Sequence, residues 1–104
     1  MQWFRDIHNR RIRLSQERQE HIEIDHPVMS GQIDNVQEVL LNPAMIIRST
    51  VDAEVELCYR HYKIAPVTEK FLCLVVKVLT DDLFIITAYL TNEIKRAETL
   101  WQRK

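Results

Sequence analysis

The spacing of apolar residues changes period once along this chain, near Ala44, and that one switch limits the folds open to it. Before it, Ile33, Val36, Val39 and Leu40 recur at three- and four-residue intervals, the spacing that lines one face of a helix. After it the chain alternates. AMIIRST, VELCYRHY, KFLCLVVKVL and FIITAYL read as four short strands with turns between them, and KIAPVTE, with Pro66, reads as a loop. A helical half followed by an antiparallel meander is an α+β arrangement.

The helical half resolves further. Ser15 is placed as an N-cap, QERQEHIEID as a first helix near residues 16–25, and Pro27 stops it because the residue before proline is pushed out of the α region. A second helix is expected within MSGQIDNVQEVLLNP, ended by Asn42-Pro43, with the chain's only glycine, Gly31, near its start. RRIRLS alternates as a brief strand, and Trp3, Phe4 and Ile7 suit one helical turn against the core. NEIKRAETLWQR is expected to close the chain as a short helix with Ile94, Leu100 and Trp101 inward.

A chain of 104 residues, 46% apolar, supports one core. No apolar run approaches the roughly 20 residues that span a bilayer, and MQWFRDIHNRR lacks the apolar stretch of a signal peptide, so a cytoplasmic location without membrane attachment is expected. Cys58 and Cys73 lie in strand-like sequence and read as reduced core thiols, a cross-strand disulfide being the alternative. The formal net charge of −1 argues against a basic footprint for nucleic acid, yet it is unevenly spread. Five arginines against Asp6 and Glu17 leave residues 1–18 at +3; residues 19–56 stand at −7 and residues 57–104 at +3.

Alternation divides LFIITAYLT into Phe84, Ile86, Ala88 and Leu90 on one face and Ile85, Thr87, Tyr89 and Thr91 on the other. The hydroxyl face is either wet or a floor for a ligand. Pairing Val76 with Ile86 and Val75 with Thr87 across a three-residue loop, Thr80-Asp81-Asp82, keeps faces matched between neighbours. With Leu57, Tyr59 and His61 turned inward, Arg60, Tyr62, Lys77, Thr87 and Tyr89 share the outer face. Guanidinium, ammonium and hydroxyl donors together suit a phosphodiester. Taken singly, Thr87 and Tyr89 are ordinary strand residues and Lys77 an ordinary solvated break.

Arg18, His21 and Asp25 follow one stripe of the first helix. Imidazole titrates nearest neutrality, so His21 is the candidate acid or base, with His26 and His61 as rivals and a partly buried or surface histidine as the ordinary reading of each. No metal site is expected: His21 and His26 are five apart, the cysteines lack CxxC spacing, and one glycine excludes a phosphate-cradling loop.

Taken in order, IRLSQERQEHIEIDHP, VLLNPAMI, ELCYRHYK, FLCLVVKVL and FIITAYLTNEIKRAETLW resemble the phage-type domains of the barnase, EndoU, colicin and RelE-like ribonuclease superfamily over residues 12–101. ERQEHI with the nearby HP, the YR pair, and ITAYLTNEIK closing on LW carry the resemblance. It implies two N-terminal helices packed on a four-stranded antiparallel sheet, and cofactor-free, metal-free RNA cleavage by a 2'-hydroxyl on its own phosphodiester. In that scheme His21 is the acid or base, Arg60 and Lys77 stabilise the phosphorane, and Thr87 and Tyr89 position it. Arg18, His26, Tyr62, Lys63, Thr91 and Lys95 are the expected substrate contacts. RNA and a protein inhibitor or antitoxin are the implied partners. The mildly acidic total departs from a free ribonuclease and suits either RNA presented by another macromolecule or a catalytically silent binding module of the same fold.

Overall fold

The computed structural model describes residues 1–63 and 70–104, so the expected loop KIAPVTE lies, but for Lys63, outside the described residues. Strands β1 (Gln2–Arg5) and β2 (Arg11–Leu14) form a hairpin, followed by helix α1 (Gln16–Asp25), a 3-10 turn (Pro27–Met29) and helix α2 (Asp34–Leu41). Strands β3 (Met45–Arg48), β4 (Val55–Tyr62), β5 (Lys70–Val78), β6 (Leu83–Thr91) and β7 (Thr99–Gln102) complete the described elements. They form one seven-stranded sheet in the order β1-β2-β6-β5-β4-β3-β7, antiparallel throughout except where β2 meets β6. The expected four-stranded meander is therefore the centre of a larger mixed sheet.

Both helices start and stop for local reasons. The Ser15 hydroxyl accepts from the Arg18 N–H at 3.1 Å, and α1 ends where His26, next to Pro27, leaves helical geometry at φ −132°. α1 buries only Ile22, whereas α2 buries Val36, Val39 and Leu40. The second helix begins later than its apolar spacing predicts, because Gly31 takes φ +82° and breaks the path from the 3-10 turn.

Two terminal expectations are corrected. Trp3 and Phe4 lie in a strand, not a helical turn, since β1 pairs with β2 from Gln2↔Leu14 to Arg5↔Arg11. The C-terminal helix is absent: Thr99–Gln102 pairs with the open edge of β3, Ile46 facing Trp101. Good local helix formers in residues 93–98 yield there to an edge that needs a partner. Ile94, Leu100 and Trp101 do pack inward, but from coil and strand.

The sheet divides two apolar clusters. The larger holds Ile12, Leu14, Ile22, Met29, Val36, Val39, Leu40, Cys58, Leu72, Leu74, Val76, Ile85 and Ala88, between the helices and the sheet. The smaller holds Ile47, Leu57, Tyr59 and Cys73 on the other face, packed by Val75, Tyr89, Ile94 and Ala97. The expected facing of β5 is found, but β4 is inverted: Cys58 joins the helix side while Leu57 and Tyr59 point away from it. Two cysteines on opposite faces form no disulfide, and both thiols are free and buried. The expected β5–β6 register holds at Val75↔Thr87, but a bulge then leaves Ile86 unpaired, so Val76 faces Ile85 and Lys77 faces Phe84. Ile85 consequently enters the main core and the simple alternation fails at that point. The turn is four residues, 79–82, closed by Leu79 N–H on Asp82 O at 2.9 Å.

Candidate functional site

The inverted β4 removes half of the expected cationic face. Arg60 lies on the helix side, its Nη1 donating to the Asn42 carbonyl at 2.7 Å and its Nε to Glu38 at 3.3 Å. The Tyr62 hydroxyl donates to the same Glu38 carboxylate, which these two partners, Tyr62 first, hold below its ordinary value. Lys77 stays on the opposite face but at the far end of β5, tied to Asp52 at 2.7 Å and Glu54 at 3.4 Å. His21 is an exposed side chain of α1, its Nε2 3.9 Å from Glu17 one turn away, and Arg18 and Asp25 on the same stripe are exposed too. Of three cavities among the described residues, none is lined by His21, Arg60 or Lys77. Among the described residues no contact or shared cavity joins His21 to Arg60.

A different set converges. Tyr89, on the helix-free face of β6, receives the His26 ring at 6.0 Å between centroids, tilted by 39°. His26 arrives there because α1 and the 3-10 turn run beside β6, and the turn at Pro27 swings the residue before it away from the helix axis. Behind Tyr89 lie Cys73 and Tyr59, both fully buried; burial pushes Tyr59 up to about 12 and Cys73 up to about 11, and raises Tyr89 as well. These groups stay protonated near neutrality, so Tyr89 is a hydrogen-bond donor rather than a base. The Lys95 N–H contacts the Tyr59 oxygen at 3.4 Å, and the Lys95 charge acts on the Cys73 thiol.

The hydroxyl face of β6 is therefore neither simply wet nor an open floor. Residues 93–97 fold back across it, with Ile94 and Ala97 packed on the smaller cluster. Where that segment meets the β3–β4 turn it leaves a polar cavity of about 90 Å³, lined by Ser49, Thr50, Lys95 and Arg96 among others. Among the described residues neither the Lys95 ammonium nor the Arg96 guanidinium has a carboxylate partner, unlike Arg10, Arg13, Arg48, Arg60 and Lys77. Two cations without carboxylate partners and two hydroxyl residues thus line one hollow, the donor types that an anion needs.

No family model, curated protein or solved structure matches this chain.

Of the expected substrate contacts, His26, Thr91 and Lys95 fall in this region with Thr87 and Tyr89, while Tyr62 is on the opposite face. Thr91 is occupied locally with the Glu93 backbone, and Lys70 with Asn92. Lys63 is exposed beside the undescribed segment. Sequence reasoning missed Arg96, Ser49 and Thr50; the available signal was Lys95-Arg96, a pair of adjacent cations that a helix would have splayed apart. Among the described residues no group of three or more His, Cys, Asp or Glu side chains is positioned to hold a metal ion.

Proposed function

We propose that this chain is a toxin-like or phage-related endoribonuclease that acts without a metal and is centred on His26, Tyr89 and Lys95 rather than on His21 and Arg60. The observation that carries the reading is the imidazole of the N-terminal half lying against the phenol of β6, with the Lys95 charge acting on Cys73 behind it. His26 takes the proton from an RNA 2'-hydroxyl, which attacks the adjacent phosphorus. The bond to the 5'-oxygen breaks, leaving a 2',3'-cyclic phosphate and a 5'-hydroxyl that takes up a proton. Lys95 balances charge on the phosphorane, and Tyr89, its own proton donated inward to Tyr59 and Cys73, packs against the His26 ring. Such a domain implies a protein inhibitor as its natural partner. Its test is RNA cleavage in EDTA: His26→Ala lowers the rate about a hundredfold or more, whereas His21→Ala and Arg60→Ala leave it within a few-fold. Cleavage indifferent to His26 removes the reading.

A second reading, a catalytically silent binding module, draws on one observation: among the described residues four of the nine arginines, and Lys77, are already neutralised by carboxylates. It expects no cleavage by the wild-type protein and a stable complex with a defined protein partner.

A further inference from the structure

The helix-free face of β1, β2 and the start of β6 carries an alternation of aromatic and guanidinium groups. Phe4, Ile12 and Leu14 belong to the main core, so their neighbours Trp3, Arg11 and Arg13 project from the opposite face. There the Arg11 guanidinium stacks on the Trp3 ring at 4.3 Å, and Arg13 lies 4.8 Å over Phe84. Trp3 is 51% exposed, an unusual state for the largest apolar side chain, and its outer ring faces a groove of about 410 Å³ lined by Arg11, Asp81, Asp82 and Leu83 among others. Arg13 is tied to Asp82 by two bonds of 2.7 and 2.8 Å, which removes both charges from contention. Arg11 keeps its charge without a carboxylate partner among the described residues.

We propose that this groove is a docking track for single-stranded RNA, in which a base stacks on Trp3 and the adjoining phosphate is held by Arg11. Stacking on an exposed indole suits any base, while a nearby guanidinium tracks the backbone. Asp81, exposed at the groove wall, repels phosphate but accepts hydrogen bonds from base amino groups, so it places the base and not the backbone on its side. Phe84 shares its strand with Tyr89, so the track and the reaction centre proposed above are carried by one strand. The inference rests on that reading for the strand's destination, but the docking itself does not need cleavage.

The test titrates a short unstructured RNA into the protein in low salt and follows tryptophan fluorescence, Trp101 serving as a background because it packs on the core. Quenching is expected with single-stranded RNA, with little from the same sequence as a duplex or from polyphosphate. Trp3→Ala, whose fold is checked by circular dichroism, weakens binding measured by filter retention roughly five- to a hundredfold. Arg11→Gln weakens it too and flattens its salt dependence. Unchanged affinity in both variants overturns the track, as does equal quenching by polyphosphate or a duplex, which marks a bare anion site. A protein that binds through Trp3 and Arg11 but never cleaves refutes the ribonuclease and leaves the track standing.

Discussion

Burial decides the behaviour of the phenol and thiol groups at positions 59, 73 and 89. Each has its folded pKa raised first by loss of water, so each contributes stability that is complete below its ordinary value and is lost as pH rises through the folded one. For Cys73 that window runs from 9.0 to about 11, and for Tyr59 from 10.0 to about 12. Urea midpoints measured from pH 8 upward should therefore fall through this range, and Cys73→Ala should delay the fall; a midpoint flat to pH 12 would contradict it. Neither thiol should react with a disulfide reagent in the native protein, since Cys73 is wholly buried and Cys58 nearly so. Gly31 is a simpler case. Its φ of +82° is costly for any residue with a Cβ, yet nothing lies within 4 Å of where that atom would sit. Gly31→Ala should cost about 1 kcal/mol, all of it from the backbone, as read by chemical denaturation.

Among the elements, the first hairpin is held by an ion cluster whose parts come from distant sequence. The Asp6 carboxylate, 3% exposed, accepts from the His8 and Arg10 backbone N–H groups at 3.0 and 2.8 Å and from the Arg10 side chain at 2.7 Å. Arg10 reaches on to Glu56 of β4 at 2.8 Å. Asp6→Ala strips the guanidinium and two N–H groups of their partner at once, and should cost about 3 kcal/mol in urea unfolding; a loss under 1 kcal/mol would mean the cluster relaxes into water. The elements also mark how far the sequence is legible. Ser15, Pro27 and the alternation of β4, β5 and β6 locate α1 and the central strands almost to the residue, because caps, proline and period act locally. The facing of β4 was misread because Arg60, His61 and Tyr62 are polar on both sides, and only the Glu38 carboxylate of α2 decides which side takes them. β7 escaped altogether, because an edge strand owes its form to the partner waiting for it.

At the scale of the molecule, part of the surface charge is settled in pairs. Glu38, Asp52 and Asp82 all have carboxyl groups held below their ordinary values by hydrogen bonds, from Tyr62, Lys77 and Arg13 in turn. Lowered folded values give stability that is present above the ordinary ones, 4.5 for Glu38 and 3.8 for the two aspartates, and is lost as pH falls through the folded ones. A melting temperature constant from pH 7 to 5 and falling below about pH 4.5 is expected, with the fall shallower in Asp82→Asn. The candidate site was legible only in its parts. His26, Tyr89 and Lys95 could each be picked out as chemical types, but their meeting depends on the turn at Pro27 and on residues 93–97 folding back, and neither leaves a periodic trace.

The one parallel joint among the described strands, Arg13 beside Phe84, has a consequence for how this chain is made. During synthesis the β1–β2 hairpin leaves the ribosome before the strand it must lie against is translated, since some seventy residues separate the two. Its outward indole and arginines stay without a scaffold for that interval. A nascent chain stalled before residue 83 should thus be open to proteolysis within its first fifteen residues, and become protected there only once the ninth decade of the sequence has emerged.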